Sequence, residues 1–375
     1  MEVGITTDII DSTKYPKGVF QYIKYLVQNI AKIESNHNVH LIHYHQNPHP
    51  IYQLGLDETI VQPYSLHFPS LSKFFTNLTK MQAVLKRFDV VHFPEPRLVQ
   101  VPLYFTDVKT VLTLHGGHLY LHPHDPSKPK VYREPKYWLK TSLYTKPLRL
   151  SFLKFRDKID MYVAVSNYLK ENMMKQLKIP EEKIRVIYLG VDEKFKPQKA
   201  EKEGIILSDT PLPGLIEIYY KLRKKGMKHK LVIFSMRQYG YKKAKEMVSK
   251  LDLQKEVIFA GYVSDEKLVK LYSTADLYLR LPLVETFGIP PLEAMACGCP
   301  VVTTNVGSLP EVVGDAGILK NPGDIEGLVN AIYEVLTNDG LRQDMIKKGL
   351  ERAKMFSWEK TARETIKVYE EVVKN

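Results

Sequence analysis

The chain has 375 residues, a length that suggests about two domains and a core large enough to need no disulfide or metal staples. With 44% hydrophobic and 26% charged residues, it has the balance of a globular protein and not of a disordered one. The net charge is +12, the two cysteines (Cys297 and Cys299) are one residue apart, and no apolar run reaches the roughly 20 residues of a membrane span. A disulfide framework and a transmembrane helix are therefore excluded, and the two thiols read as small buried hydrophobes in a reducing, cytoplasmic compartment.

Met1 leads directly into Glu2-Val3-Gly4-Ile5-Thr6, which reads as a strand, so no leader is expected. The segments 39–44, 90–93, 110–114 and 161–165 are short, apolar and β-branched, and read as buried strands. Helical patterns at 19–33, 70–86 and 167–177 alternate with them. A strand at 183–188 precedes a polar, Lys-rich stretch at 193–203, taken as the linker region. Strands at 204–207, 231–234, 257–260 and 277–279 then alternate with helices at 215–225, 242–251, 265–274, 292–296 and 325–337. The chain ends on an amphipathic helix at 358–373. Strands alternating with helices imply parallel βαβ units. The expectation is an α/β protein of two Rossmann-like, doubly wound parallel-sheet domains facing across a cleft. Domain one would span 1–187 with the helix 359–375 returning to it, and domain two would span 188–358. In such sheets, ligands bind outside the carboxyl ends of the strands.

The densest chemistry lies at Glu285-Thr286-Phe287-Gly288-Ile289-Pro290-Pro291-Leu292-Glu293-Ala294-Met295-Ala296. Glu285 follows a strand. Gly288 permits a backbone closed to other residues, and the prolines suit a helix's first turn. The start of that helix offers N–H groups to a phosphate or sugar oxygen. Glu285 and Glu293, in the loop and the helix, could accept hydrogen bonds from hydroxyls at two ends of an extended ligand. On spacing alone, local capping and ion pairing fit the two glutamates equally well.

This segment, with Cys297-Gly298-Cys299-Pro300-Val301-Val302 and Gly307-Ser308-Leu309-Pro310-Glu311, resembles the signature of retaining glycosyltransferase family 4. The likeness extends to Gly261-Tyr262-Val263-Ser264-Asp265 and Phe356-Ser357-Trp358-Glu359. It is looser at Lys17-Gly18-Val19, His115-Gly116 and Val165-Ser166-Asn167. The resemblance implies a GT-B fold and transfer of a hexose, with mannose favoured, from a nucleoside-diphosphate sugar to a glycan or a polyprenyl- or lipid-linked acceptor, with retention of configuration and no metal or other cofactor. It implies that Glu285 and His115 act at the reacting sugar. Gly288 and Ile289 would meet the donor through backbone N–H groups, Glu293 would hold the ribose, Val263 would touch the base, and Gly18 would admit the diphosphate.

One element of the family is missing. Its members carry an arginine and a lysine after the first strand of the second domain, whereas this chain has Ser208-Asp209-Thr210-Pro211-Leu212-Pro213-Gly214 there. Arg237 and Arg280 are the candidate replacements. The alternative is a weak or inactive relative that binds nucleotide or carbohydrate without transferring it.

Between 128 and 158 lie ten basic and two acidic residues, interleaved with aromatics. Such a stretch suits an anionic membrane surface, which would put the protein at the inner face of the cell membrane. A buried helix fringed with lysines fits as well. Nothing else resembles a nucleic-acid module, so no nucleic acid is expected. His118, His122 and His124 lack the partners of a zinc site and read as a polar loop.

Overall fold

Short apolar strands covered on both faces become parallel sheets, and the chain builds two of them. The computed structural model describes residues 1–7, 17–34, 36–44, 49–62, 76, 79–95, 107–116, 152–210, 212–234 and 240–375. Two compact units result: Met1–Gly190 together with Trp358–Asn375, and Val191–Ser357.

The first unit contains β1 (Glu2–Thr6), α1 (Lys17–Ile30), β2 (Asn38–His43), β3 (Asp57–Ile60), α2 (Lys80–Leu85), β4 (Val90–Phe93) and β5 (Lys109–Leu114). It continues with β6 (Met161–Ala164), α3 (Asn167–Leu177) and β7 (Ile184–Val186). Among the described residues its seven strands are parallel, in the order β3-β2-β1-β4-β5-β6-β7. The order reverses between β1 and β4, so their carboxyl ends flank the crevice where doubly wound sheets take ligands. Helix α3 starts where Ser166 Oγ accepts from Leu169 N at 3.2 Å and stops at Lys178, whose φ is 54°. Of the helix expected over 70–86, α2 falls among the described residues.

The second unit contains β8 (Ile205–Ser208), α4 (Pro213–Lys224), β9 (Lys230–Ile233), α5 (Tyr241–Lys250), β10 (Val257–Phe259), α6 (Asp265–Thr274) and β11 (Leu277–Arg280). Then follow α7 (Ile289–Ala296), β12 (Val301–Thr304), α8 (Leu309–Val313), β13 (Ile318–Lys320), α9 (Ile325–Thr337) and α10 (Asp339–Lys354). Its parallel sheet runs β10-β9-β8-β11-β12-β13, with the reversal between β8 and β11. Leu215, Ile218 and Leu222 of α4 and Val329, Ile332 and Val335 of α9 pack on Leu231, Leu277 and Val302 of the sheet.

The last helix, α11 (Trp358–Lys374), belongs to the first unit. Trp358, Ala362, Ile366 and Tyr369 are buried along one face, at the three- and four-residue steps of an amphipathic helix. Burying Trp358, Ile366 and Tyr369 contributes roughly 5–8 kcal/mol before ordering costs. Trp358 stacks on Tyr25 of α1 with ring centroids 5.2 Å apart, and Glu371 takes Arg185 Nε at 3.0 Å.

Candidate functional site

In the second unit, the site begins where β11 ends. Leu277 to Arg280 are buried, so the strand delivers the chain to the carboxyl edge of the sheet and the next residues turn into a loop. That loop is tied to its neighbour. Thr303 Oγ1 donates to the Arg280 carbonyl at 2.8 Å, and Thr304 Oγ1 donates to the Pro282 carbonyl at 2.6 Å. Ser308 donates to the Glu285 carbonyl from its backbone N (3.2 Å) and to the Phe287 carbonyl from Oγ (2.9 Å). Gly307, at φ 59°, passes so close that a Cβ there would stand 1.9 Å from the Glu285 carbonyl oxygen. Any side chain at 307 would push the Glu285 loop away. Rigid support of this kind is what a site needs to hold a reacting group in place.

The Glu285 carboxylate is held at both oxygens. One accepts from Arg280 Nη2 at 2.7 Å and the other from Thr286 N at 3.1 Å. The same guanidinium donates through Nη1 to Asp209 at 2.8 Å. Asp209 comes from the end of β8, adjacent to β11, and the register Tyr278↔Leu207 carried on two places sets Arg280 beside it. Arg280 therefore bridges the crevice at the sheet's reversal. Burial opposes its charge, yet Asp209 and then Glu285 raise its pKa well above the ordinary arginine value. Tyr272 and Tyr278 line the same buried cluster with rings 5.3 Å apart, and burial pushes both phenols far above their usual range.

Gly288 caps α7 at φ 104°, where a Cβ would meet Leu309 Cδ2 at 2.8 Å. The helix has no side-chain cap. Pro290 and Pro291 carry no N–H, so of its first three residues Ile289 alone keeps a donor. The cradle expected at this helix start narrows to the N–H groups of Gly288 and Ile289. Glu293 sits one turn further in and is buried. Val263 is buried at the end of the β10 connection, between Gly261 at φ 68° and the cap Ser264 of α6. From β10 to β11 is three strand steps, about 14 Å. The two thiols beyond α7 are inert: burial drives both pKa values up, that of Cys299 to about 12.

The first unit gathers the other residues. His115 follows β5 and packs on Tyr22 of α1, ring centroids 4.4 Å apart. Gly18 lies four residues before Tyr22 on the same helix and therefore on the same face. Gly18 is exposed, and a Cβ there would meet no atom within 4 Å. Behind His115 runs a buried polar chain. Tyr22 Oη meets Thr113 Oγ1 at 3.0 Å, His92 Nε2 meets the same hydroxyl at 2.8 Å, and His92 Nδ1 meets Tyr369 Oη at 2.7 Å. Desolvation lowers the pKa of His115 to about 4, against a hydrogen bond to the Pro94 carbonyl that raises it. Desolvation, with His115 as the second cause, lowers that of His92 to about 3. Both rings are neutral at physiological pH.

Sequence reasoning missed this chain, and it missed the pairing of Asp209 with Arg280; only the polar character of each residue was visible. Arg237, His118, His122, His124 and residues 128–151 lie outside the described residues. The described end of the basic stretch buries Phe152 and Phe155. Among the described residues no cluster of three or more His, Cys, Asp or Glu side chains could hold a metal ion, and no helix is long and apolar enough to cross a membrane.

Comparison with known proteins extends this picture. Residues 206–352 match the family model "Glycosyl transferases group 1", and residues 16–195 match "Glycosyltransferase Family 4". The O-antigen chain mannosyltransferase B of Escherichia coli is 29% identical over 57% of this chain and 61% of its own length. The MMP alpha-(1->4)-mannosyltransferase of Mycolicibacterium hassiacum is 27% identical over 56% of this chain and 54% of its own length. The chain thus aligns with little more than half the length of these curated relatives. A glycosyltransferase from Rickettsia africae superposes with a TM-score of 0.72 at 19% identity, covering 100% of this chain and 99% of that one. Anabaena Alr3699/HepE, solved with UDP and glucose, gives 0.72 at 16% identity, covering 98% of this chain and 99% of that one. These likenesses show the fold, the paired Rossmann-like units of the GT-B class.

Proposed function

We propose, for a chain that belongs to the group 1 and family 4 glycosyltransferases, that it transfers a hexosyl group from a nucleoside diphosphate to a glycan or lipid-linked acceptor, with retention of configuration. The observation that carries this reading is the Glu285 carboxylate. It is fixed by Arg280 and Thr286 at the carboxyl edge of the second sheet, beside the two remaining donors of α7. Mannose is the favoured sugar, and the two mannosyltransferase relatives support that choice.

In this reading the donor lies along the carboxyl edge of the second sheet. Its base contacts the backbone at Val263 and its ribose hydroxyls donate to Glu293. The diphosphate meets the N–H groups of Gly288 and Ile289 and the cation Arg280, with Arg237 as a second cation, while Gly18 leaves room for it. Glu285 accepts from hydroxyls of the sugar, and neutral His115, whose one N–H goes to the Pro94 carbonyl, can accept a hydrogen bond from a sugar hydroxyl at its other nitrogen. The acceptor oxygen bonds to the anomeric carbon on the face from which the diphosphate departs, the carbon–diphosphate bond breaks, and the acceptor proton passes to a diphosphate oxygen. Hydrogen-bond donors and cations already aimed at the leaving group lower this barrier. No metal or other cofactor takes part. The basic stretch 128–158 serves an anionic membrane surface, which suits a lipid-linked acceptor and a peripheral position on the cytoplasmic side.

A thermal-shift panel of nucleoside-diphosphate hexoses identifies the donor, with a mannosyl donor expected to stabilise the protein most. Proton NMR of the product should then show a retained anomeric configuration; an inverted product contradicts the mechanism. Salt-sensitive sedimentation with anionic liposomes is expected, and absence of binding at low salt removes the membrane role.

A further inference from the structure

We infer that Asp209 sets donor affinity. Its carboxylate stands on the Arg280 guanidinium in place of the donor's diphosphate, and a bound nucleoside diphosphate exchanges with it. The inference rests on reading the second unit as a donor site.

Three observations carry it. The first is position. Asp209 directly follows β8 and Arg280 ends β11, the two strands between which the sheet order reverses, so their ion pair lies across the crevice where such sheets bind ligands. The second is charge. The segment 208–214 holds no lysine or arginine, and among the described residues Arg280 is the cation paired with both Asp209 and Glu285. With both carboxylates on it, the trio carries a net charge of −1, which repels an incoming diphosphate; without Asp209 it is neutral. The third is geometry. The guanidinium fork spends Nη1 on Asp209 at 2.8 Å and Nη2 on Glu285 at 2.7 Å. A phosphate oxygen can take the Nη1 arm in the manner of a carboxylate while Nη2 keeps Glu285 in place.

The exchange also gives the short β8–α4 connection a role. The other Asp209 oxygen accepts from Thr210 Oγ1 at 3.0 Å, and Thr210 N donates to Ser208 Oγ at 3.2 Å. These bonds keep the carboxylate on the loop side when Arg280 changes partner. Glu285 is then oriented before and after the donor arrives.

The test is calorimetric titration of the full chain with UDP, GDP and the matching nucleosides, comparing the parent protein with Asp209→Asn and with Asp209→Asn/Arg280→Met. Asparagine keeps the size and the hydrogen-bond acceptor and removes the charge. Asp209→Asn is expected to bind the accepted nucleoside diphosphate about tenfold more tightly, as removal of one like charge at close range implies. Nucleoside binding should be unchanged, and the gain should vanish in the double variant. If the parent binds a nucleoside diphosphate and a folded Asp209→Asn binds it no more tightly, or if nucleosides gain equally, the exchange is wrong and the donor-site reading stands. If neither protein binds any nucleotide, both fall together.

Discussion

Gly307→Ala tests whether the Glu285 loop is held by its neighbour. The methyl group would stand 1.9 Å from the Glu285 carbonyl oxygen. Opening that contact to the roughly 3.3 Å at which a carbon meets a carbonyl oxygen requires about 1.4 Å of movement. The residue also sits at φ 59°, where a side chain costs about 1–2 kcal/mol. Two hydrogen bonds from Ser308 close the same junction, so the strain has no easy outlet at 308. The second unit is expected to lose about 2–3 kcal/mol in urea unfolding. A displacement of this size at a reacting group costs about a hundredfold in turnover. Donor-dependent release of nucleoside diphosphate measures the second effect, at saturating donor so that binding does not mask it. An alanine variant with unchanged stability and turnover within twofold of the parent would refute the claim that Gly307 fixes Glu285.

Two further outcomes follow from the buried charges. Arg280→Met leaves Asp209 and Glu285 largely buried without their cation, and is expected to cost about 3–5 kcal/mol in unfolding free energy; adding Asp209→Asn should return part of it, and failure to do so would mean the two residues do not share one network. His92 is neutral when folded, with a pKa of about 3 against 6.5 for the ordinary side chain. Its stabilisation is therefore complete above pH 6.5 and declines as pH falls toward about 3, by up to ~1.4 kcal/mol per pH unit. Urea midpoints between pH 6 and pH 4.5 should fall less steeply for His92→Gln, and parallel slopes would exclude His92 as the cause.

How much of this was legible depended on where the information lay. The strand–helix alternation is local, so the two parallel sheets were readable, and α3, α6 and α9 begin and end at the expected residues. Ser166, Ser264 and Asp324 cap those helices and mark their starts. Strand β3, Asp-Glu-Thr-Ile on the sheet edge, is too polar to signal a strand. Helix α10 was missed because its buried residues are Met345, Gly349 and Ala353, a stripe of mostly small side chains with little apolar contrast. The Glu285–Glu293 segment was legible as a motif because its glycine, prolines and glutamates are contiguous. Its supports were not. Asp209 reaches Arg280 across 71 positions, and Tyr369 reaches His92 across 277. Such pairs are set by strand order and by which residues of the returning α11 meet β4, which no local pattern encodes.

The central claim is that the carboxylate fixed at Glu285 serves hexosyl transfer. The direct measurement is nucleoside diphosphate release with a mannosyl donor and acceptor, comparing the parent with Glu285→Ala while nucleotide affinity is followed in parallel. The account predicts release by the parent and a loss of about a hundredfold or more in the variant, with nucleotide still bound. Equal release by both proteins, or none by a parent that binds nucleotide whatever hexosyl donor is offered, would contradict it.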